Sequence, residues 1–211
     1  FSAGNNGSGT STITQPKNIN TDLVNVFCVA NIDANNSTFP VNTSSSRGPS
    51  TCGGTGSLNI KPEASAPGTD VRSCYQGDFS DLTGTSMAAP HVAGAAALLI
   101  ERHPDWTPSI LKAAMMNTAV QTRDENGAAY PETRTGAGRV NPDLAIATPV
   151  IASDAKSPAR VSLSFGLLEI SEPYLAKRSI ELTNLGSQAW TGSIVVSNTL
   201  ANAGVTLTPA K

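Results

Sequence analysis

Aromatic residues make up only 5 % of the chain and charged residues 14 %. The few charges nearly cancel, 14 Lys and Arg against 16 Asp and Glu, for a net charge of −2 at pH 7. A basic field that would draw in nucleic acid is therefore excluded. Long apolar runs are missing as well. The longest, Ala95 to Ile100, falls far short of the roughly 18 residues of a membrane span. Cysteine is scarce, with three in 211 residues, and Cys52 and Cys74 have no Cys or His beside them at zinc spacing. Histidine is scarcer still: His91 and His103 are the only two. Any chemistry that needs an imidazole base has just those candidates within this sequence. The chain opens on Phe1 with no visible signal peptide, so its true start is expected upstream.

What is present is a dense use of small residues, and one run stands out: Gly84-Thr-Ser-Met-Ala-Ala-Pro-His-Val-Ala-Gly94. A Gly-Thr turn leads into a helix expected over 86–102. Pro90 is tolerated near its start, where a missing N–H costs little. Ser86 then sits at the positive end of the helix beside free backbone N–H groups, a place suited to stabilising an oxyanion. The bland alternative is an N-cap serine. Ala88 stands where a Gly-x-Ser-x-Gly elbow needs its second glycine, which removes the α/β-hydrolase reading. Gly94 to Ala97 fit a helix packed closely on a sheet.

Asn25 to Ile32 reads as a buried strand, with Cys28 as a buried free thiol. Residues 37–60 are dense in Ser, Thr, Gly and Pro and read as exposed loop. A second helix is expected to open at Thr107-Pro108, threonine as N-cap and proline at the first helical position. Ile110, Leu111, Ala114 and Met115 give it an apolar face. Helices alternating with strands argue an α/β fold with a mainly parallel sheet. After Pro149 the pattern changes to alternation, at Val161, Leu163 and Phe165, then over 179–183 and 193–197, with turns such as Asn184-Leu-Gly186 between. The expected organisation is a first domain over 1–149, a linker over 150–157, and the first part of a β-sandwich over 158–211.

The 84–94 run resembles the serine motif of the subtilases, the subtilisin-like serine peptidases. Three other stretches agree in order and spacing. Ser2-Ala-Gly-Asn-Asn-Gly7 resembles the family's oxyanion-hole segment. Ser45-Ser-Arg-Gly-Pro49, with Lys61-Pro-Glu-Ala-Ser-Ala-Pro-Gly68, resembles the approach to the serine motif, and Gly136-Ala-Gly-Arg-Val-Asn141 the turn and strand that close the catalytic domain. The resemblance covers about 1–148. It implies a subtilisin-like, mainly parallel sheet flanked by helices, incomplete at its N-terminus, then a partial sandwich of fibronectin or immunoglobulin type. It implies Ser86 as nucleophile and Asn5 as the side-chain donor of the oxyanion hole, working with the Ser86 N–H. An amide donates a hydrogen bond without bringing a charge that pH could remove. A simple turn is the alternative for Gly-Asn-Asn-Gly, and it suits Asn6. Ser2, Ala3 and Gly4 would form one wall of the pocket for the residue preceding the scissile bond, with Gly84 and Thr85 on the same substrate-binding surface. Because the family is usually secreted, the resemblance implies a secreted or cell-surface location, and a Cys52–Cys74 bridge stapling the loop between them. Structural calcium is common in the family, but no ligands are assignable here, and the chemistry requires no cofactor.

Family order puts the acid first, then the histidine, then the serine. No histidine precedes Ser86 in this sequence and no Asp or Glu here can be assigned the orienting role, so both partners are expected before Phe1. His91 is five residues along a helix, about 500° around it, and is structural in the family's motif. His103 suits a partner for the helix C-terminus. Asp78 and Asp81 read as solvated loop acids. The resemblance thus implies a serine endopeptidase that cleaves polypeptides through an acyl-enzyme, its acid and histidine supplied by an upstream segment of the same protein. The chain alone is expected to be inactive. Two other readings are a non-catalytic binding or structural module and a half-enzyme completed by another chain. Intact Asn5 and Ser86 motifs favour the first.

Overall fold

The computed structural model describes residues 1–19, 26–52, 60–164, 172, 175–193 and 195. Its centre is a short parallel ribbon. Strands β1 (Val29–Ile32) and β2 (Ala64–Pro67) pair in parallel, with Val29 opposite Ala64 and Ile32 opposite Pro67. On the outer flank of β1, Ser2 bridges Val29 in parallel, and the Ala3 N–H donates to the Val29 carbonyl at 2.9 Å. On the outer flank of β2, Ser65 bridges Arg139. Segments distant in sequence therefore lie side by side in the order 2, 29, 65, 139.

The long helix α1 (Thr85–Arg102) lies on this ribbon. Its buried residues Ala88, Val92, Ala95 and Leu99 recur at three to four residues, one helical face. Alanine at two of these positions lets the backbone approach the strands closely. Gly94 plays no such part: it lies on the outward face, and a β-carbon there would touch nothing within 4 Å. Leu98 and Ile100, on opposite flanks of α1, are each 50 % exposed, and Phe1 is 63 % exposed beside the ribbon edge. A groove of about 350 Å³ runs between the 89–96 stretch of α1 and α2 (Pro108–Asn117), lined by Phe1, Phe27, Val92, Ala96, Leu111 and Met115.

Helix α2 starts where its sequence says it should, the Thr107 hydroxyl accepting the Ile110 N–H at 3.4 Å with Pro108 in the first turn. Leu111, Ala114 and Met115 are buried on its inner face. Helix α3 (Glu132–Thr135) is a single turn, and α4 (Pro142–Ala147) is capped by the Asn141 side chain, which accepts from Leu144 N–H at 3.2 Å. No helix among the described residues is long and apolar enough to cross a membrane.

Several expectations are corrected. The strand expected over 25–32 begins at Val29; residues 20–25 lie outside the described set. Ser45, Ser46 and Ser50, read as exposed loop, are all buried. Serine tolerates this because its hydroxyl can be satisfied: Ser45 Oγ accepts the Asn31 N–H, and Ser46 Oγ the Asn6 N–H. Asp78 and Asp81 belong not to a loop but to an exposed antiparallel hairpin, β3 (Val71–Tyr75) and β4 (Asp78–Leu82). Residues 150–154 of the expected linker form strand β5 (Val150–Asp154). Ile151 is buried in the main core, and β5 pairs antiparallel with β6 (Ile180–Asn184). Val161 packs against that same core, and 161–164 are irregular rather than strand. Phe165 and most of 193–197 lie outside the described residues.

The expected Cys52–Cys74 bridge is not made. Cys28, Cys52 and Cys74 are all free, Cys28 buried, Cys52 half-buried and Cys74 exposed on β3. Burial, reinforced by the nearby Glu63 carboxylate, pushes the Cys28 thiol up to about 12. Since the thiolate is the reactive form, a maleimide at pH 7 should modify Cys74 quickly, Cys52 more slowly, and Cys28 only on unfolding. Quantitative mass labelling checks this; a protected Cys52–Cys74 pair that labels only after reduction would restore the bridge.

Candidate active site

The site stands at the carboxyl ends of the parallel strands, where open α/β sheets place their ligands. The Gly68 N–H donates to the carbonyl of Ile32 at 3.0 Å, and the Gly84 N–H donates to the carbonyl of Gly68 at 2.8 Å. These two bonds hang the start of α1 from the end of β1. Gly68 leaves no room for a side chain: a β-carbon would stand 2.6 Å from Asn31 Oδ1 and 2.7 Å from the Gly84 carbonyl.

Thr85, fully buried, is the hub. Its N–H donates to Asn5 Oδ1 at 3.0 Å and its hydroxyl donates to the same oxygen at 3.1 Å. The hydroxyl in turn accepts the Gly4 N–H at 3.0 Å. A main-chain N–H can only donate, so the atom of Asn5 facing it must be the carbonyl oxygen. The amide orientation is thereby fixed, and Nδ2 points out of the clamp with no acceptor among the described residues. Asn5 itself is exposed, and its Nδ2 lies beside Gly84, 3.3 Å from where a β-carbon would stand.

Ser86 is exposed in the first turn of α1. Its N-cap, Gly84, has no side chain to cap that helix start, Asn5 takes the Thr85 N–H instead, and the Ser86 N–H has no acceptor among the described residues. The structure thus gathers Asn5, Gly4, Gly84 and Thr85 around the base of Ser86. Ser2 and Ala3 continue the same wall as the outermost parallel segment, Ala3 fully buried and Ser2 half-buried. What Thr85 does as a clamp is not visible in its sequence position, which suggests only a substrate contact. The one hint was its place between a glycine and the serine.

Neither histidine joins this group. His91 Nδ1 lies 2.9 Å from the Met87 carbonyl, so that nitrogen carries its proton and binds back onto its own helix. His103 Nε2 lies 3.0 Å from the Ile146 carbonyl, and its ring stacks on Trp106 at 3.9 Å between centroids. Both are structural. No group of three or more His, Cys, Asp or Glu among the described residues could hold a metal ion.

The site is thus an exposed serine at a helix start, next in sequence to the residue that clamps the Asn5 amide, its own N–H without an acceptor among the described residues. Residues 1–143 match the subtilase family profile, and the chain belongs to that family. It is 41 % identical over 118 residues to subtilisin-like protease SBT4.8 of Arabidopsis thaliana, covering 48 % of this chain and 16 % of that protein. It is 42 % identical to the minor extracellular protease Vpr of Bacillus subtilis, covering 37 % and 11 % respectively. The CO(2)-response secreted protease of Arabidopsis thaliana is 39 % identical, with 42 % and 13 % covered. The chain thus spans between 11 % and 16 % of the length of these relatives. Among solved structures it is similar to the prenylagaramide maturation protease PagA, with a TM-score of 0.52 and 25 % identity, covering 69 % of this chain and 48 % of that one.

Proposed function

We propose that this chain carries the nucleophile and oxyanion hole of a subtilisin-like serine endopeptidase. The carrying observation is the clamp: Thr85 holds Asn5 Oδ1, which leaves Nδ2 as a donor beside the unpaired Ser86 N–H. In this reading Ser86 Oγ attacks the scissile carbonyl, and its proton passes to a histidine base. The oxyanion of the tetrahedral intermediate accepts from Asn5 Nδ2 and the Ser86 N–H. The amine leaves, an acyl-enzyme remains on Ser86, and water releases it. Ser2, Ala3 and Gly4 form one wall for the substrate residue preceding the scissile bond, and Gly84 and Thr85 hold the floor under Ser86. The chemistry uses no cofactor.

The base and its orienting acid come from an upstream segment of the same protein, because His91 and His103 both bind main-chain carbonyls elsewhere. The ribbon edge at Ser2, the half-exposed Leu98 and Ile100, and the adjoining groove support a packing surface for that segment. We place the protein outside the cytoplasm, by likeness to relatives called extracellular or secreted. The β5–β6 pair is read as the beginning of a fibronectin or immunoglobulin-like sandwich.

A fluorophosphonate probe with intact-mass detection tests the reading. The 211-residue chain alone is expected to give no adduct. The same chain joined to the segment bearing the aspartate and histidine should give one adduct per molecule, absent from Ser86→Ala. A stoichiometric, Ser86-dependent adduct on the chain alone would show that no upstream base is needed.

A further inference from the structure

Lys17 is a charged group at this site to which the peptidase reading assigns no role. Ile13 is buried against Ala3 and Cys28, and the turn over 15–18 then brings the chain back to the Ser2–Gly4 wall. Gly4 has φ +105°, and where its β-carbon would stand, Lys17 Cε lies 3.2 Å away and Lys17 Nζ 3.3 Å away. The ammonium therefore rests on the bare α-carbon of Gly4, one residue from the Asn5 amide. Any side chain at position 4 would displace it.

Among the described residues this cation has no anion paired with it. Among the described residues, the carboxylates in ion pairs are Glu63 and Asp81, and neither is paired with Lys17. Lys17 also makes no hydrogen bond among those residues, although it is half-buried. The other group against Gly4, Ser46 Oγ, is engaged by the Asn6 N–H at 3.0 Å. A partly desolvated ammonium with no counter-charge among the described residues is a cost that a ligand carboxylate would offset.

We propose that Lys17 is a specificity-determining residue that selects an acidic side chain, aspartate or glutamate, at the substrate position preceding the scissile bond. The inference rests on the Ser2–Gly4 segment being the wall for that position. With the scissile carbonyl held at Asn5 and Ser86, the preceding side chain runs back along the wall. There it meets the small surfaces of Ser2 and Gly4 and the Lys17 ammonium beyond them. A carboxylate gains a charge-assisted hydrogen bond there; an amide of the same shape gains only a neutral acceptor, and a lysine is repelled.

The test is kcat/KM of the whole peptidase that contains this chain, on peptides differing only at that position: Glu, Asp, Gln, Leu and Lys. Glutamate is expected to exceed glutamine by about 10- to 100-fold, and the ratio should shrink as salt rises. Lys17→Met should bring the ratio close to one, Lys17→Arg should keep it, and Lys17→Glu should turn the preference toward lysine. Fluorophosphonate labelling of each variant shows that its site is assembled. If peptides are cleaved with a Glu/Gln ratio near one, or with a ratio that Lys17→Met leaves unaltered, Lys17 has no such role while the peptidase reading stands. If no peptide is cleaved and Ser86 takes no probe, both fall.

Discussion

Replacing Ser86 with alanine in the whole peptidase is expected to lower kcat by about 10⁶-fold, whereas Asn5→Leu should lower it by only about 10²–10³-fold. Both magnitudes are those known for subtilisin, a member of this family, and are carried over to it. The gap between them follows from what each group does. Without Ser86 Oγ no acyl-enzyme forms, and the residual rate comes from binding and oxyanion donors alone. Without Asn5 Nδ2 the nucleophile and the Ser86 N–H remain, so the loss is that of one donor. That donor acts on charge that develops in the transition state, so KM should scarcely move with Asn5→Leu. Thr85→Val should resemble a diluted Asn5→Leu, because it frees the amide to rotate while the Thr85 main-chain N–H still holds Oδ1 at 3.0 Å. Steady-state kinetics on one good substrate separates these outcomes. An Asn5→Leu enzyme with unchanged kcat would remove Asn5 from the oxyanion hole.

The largest expected loss of stability is remote from this chemistry. Glu63 is buried between two buried lysines, bonded to Lys61 and lying 3.5 Å from Lys112, and it also accepts the Cys28 N–H at 2.7 Å. Lys61 Nζ further donates to the Val26 carbonyl at 2.7 Å. Glu63→Gln removes a carboxylate that these two cations share. It should cost about 3–5 kcal/mol, a fall in Tm of roughly 6–20 °C for a chain of this size. Lys112→Met should behave otherwise, changing stability by less than about 1 kcal/mol or raising it. Glu63 keeps Lys61 and the Cys28 N–H in that variant, and the burial cost of an ammonium disappears. Burial, only partly countered by Glu63, holds the Lys112 ammonium below its ordinary value of 10.5. In the window just below 10.5 the unfolded lysine holds the proton that the folded one has released. Stability from this group therefore rises with pH through that window. Parallel thermal melts decide the matter. Equal losses in the two variants would mean that the cluster does not act as one shared charge.

Local signals in the sequence were sufficient for the two long helices, because Thr107-Pro108 and the spacing of Leu111, Ala114 and Met115 carry their own capping and packing information. The hairpin was harder to read. Every residue of β4 except Ser80 is exposed, so neither strand shows the one-sided apolar alternation that marks a half-buried strand. A signal did exist in Gln76-Gly77, a two-residue turn with φ of +47° and +87°, the geometry that matches strand twist. The buried serines were illegible for a different reason: a hydroxyl suits a loop and a satisfied interior equally, and only the partner 14 or 40 residues away decides. The same holds for Glu63, whose two lysine partners are 2 and 49 residues distant. Lys17 carries no signal of its own, because nothing near it in sequence says that Gly4 lies under its ammonium.

The Asn5–Thr85 clamp joins residues 80 apart in the chain. Closing so long a loop is costly and slow unless the intervening structure is already in place. During synthesis, the donor near one end of that span must wait for the whole of β1, β2 and the hairpin before it meets Thr85. A nascent or half-folded chain then has a serine and an amide but no oxyanion hole. On the proposed reading, an active site that needs this 80-residue closure leaves a half-folded chain without peptidase activity toward its own kind.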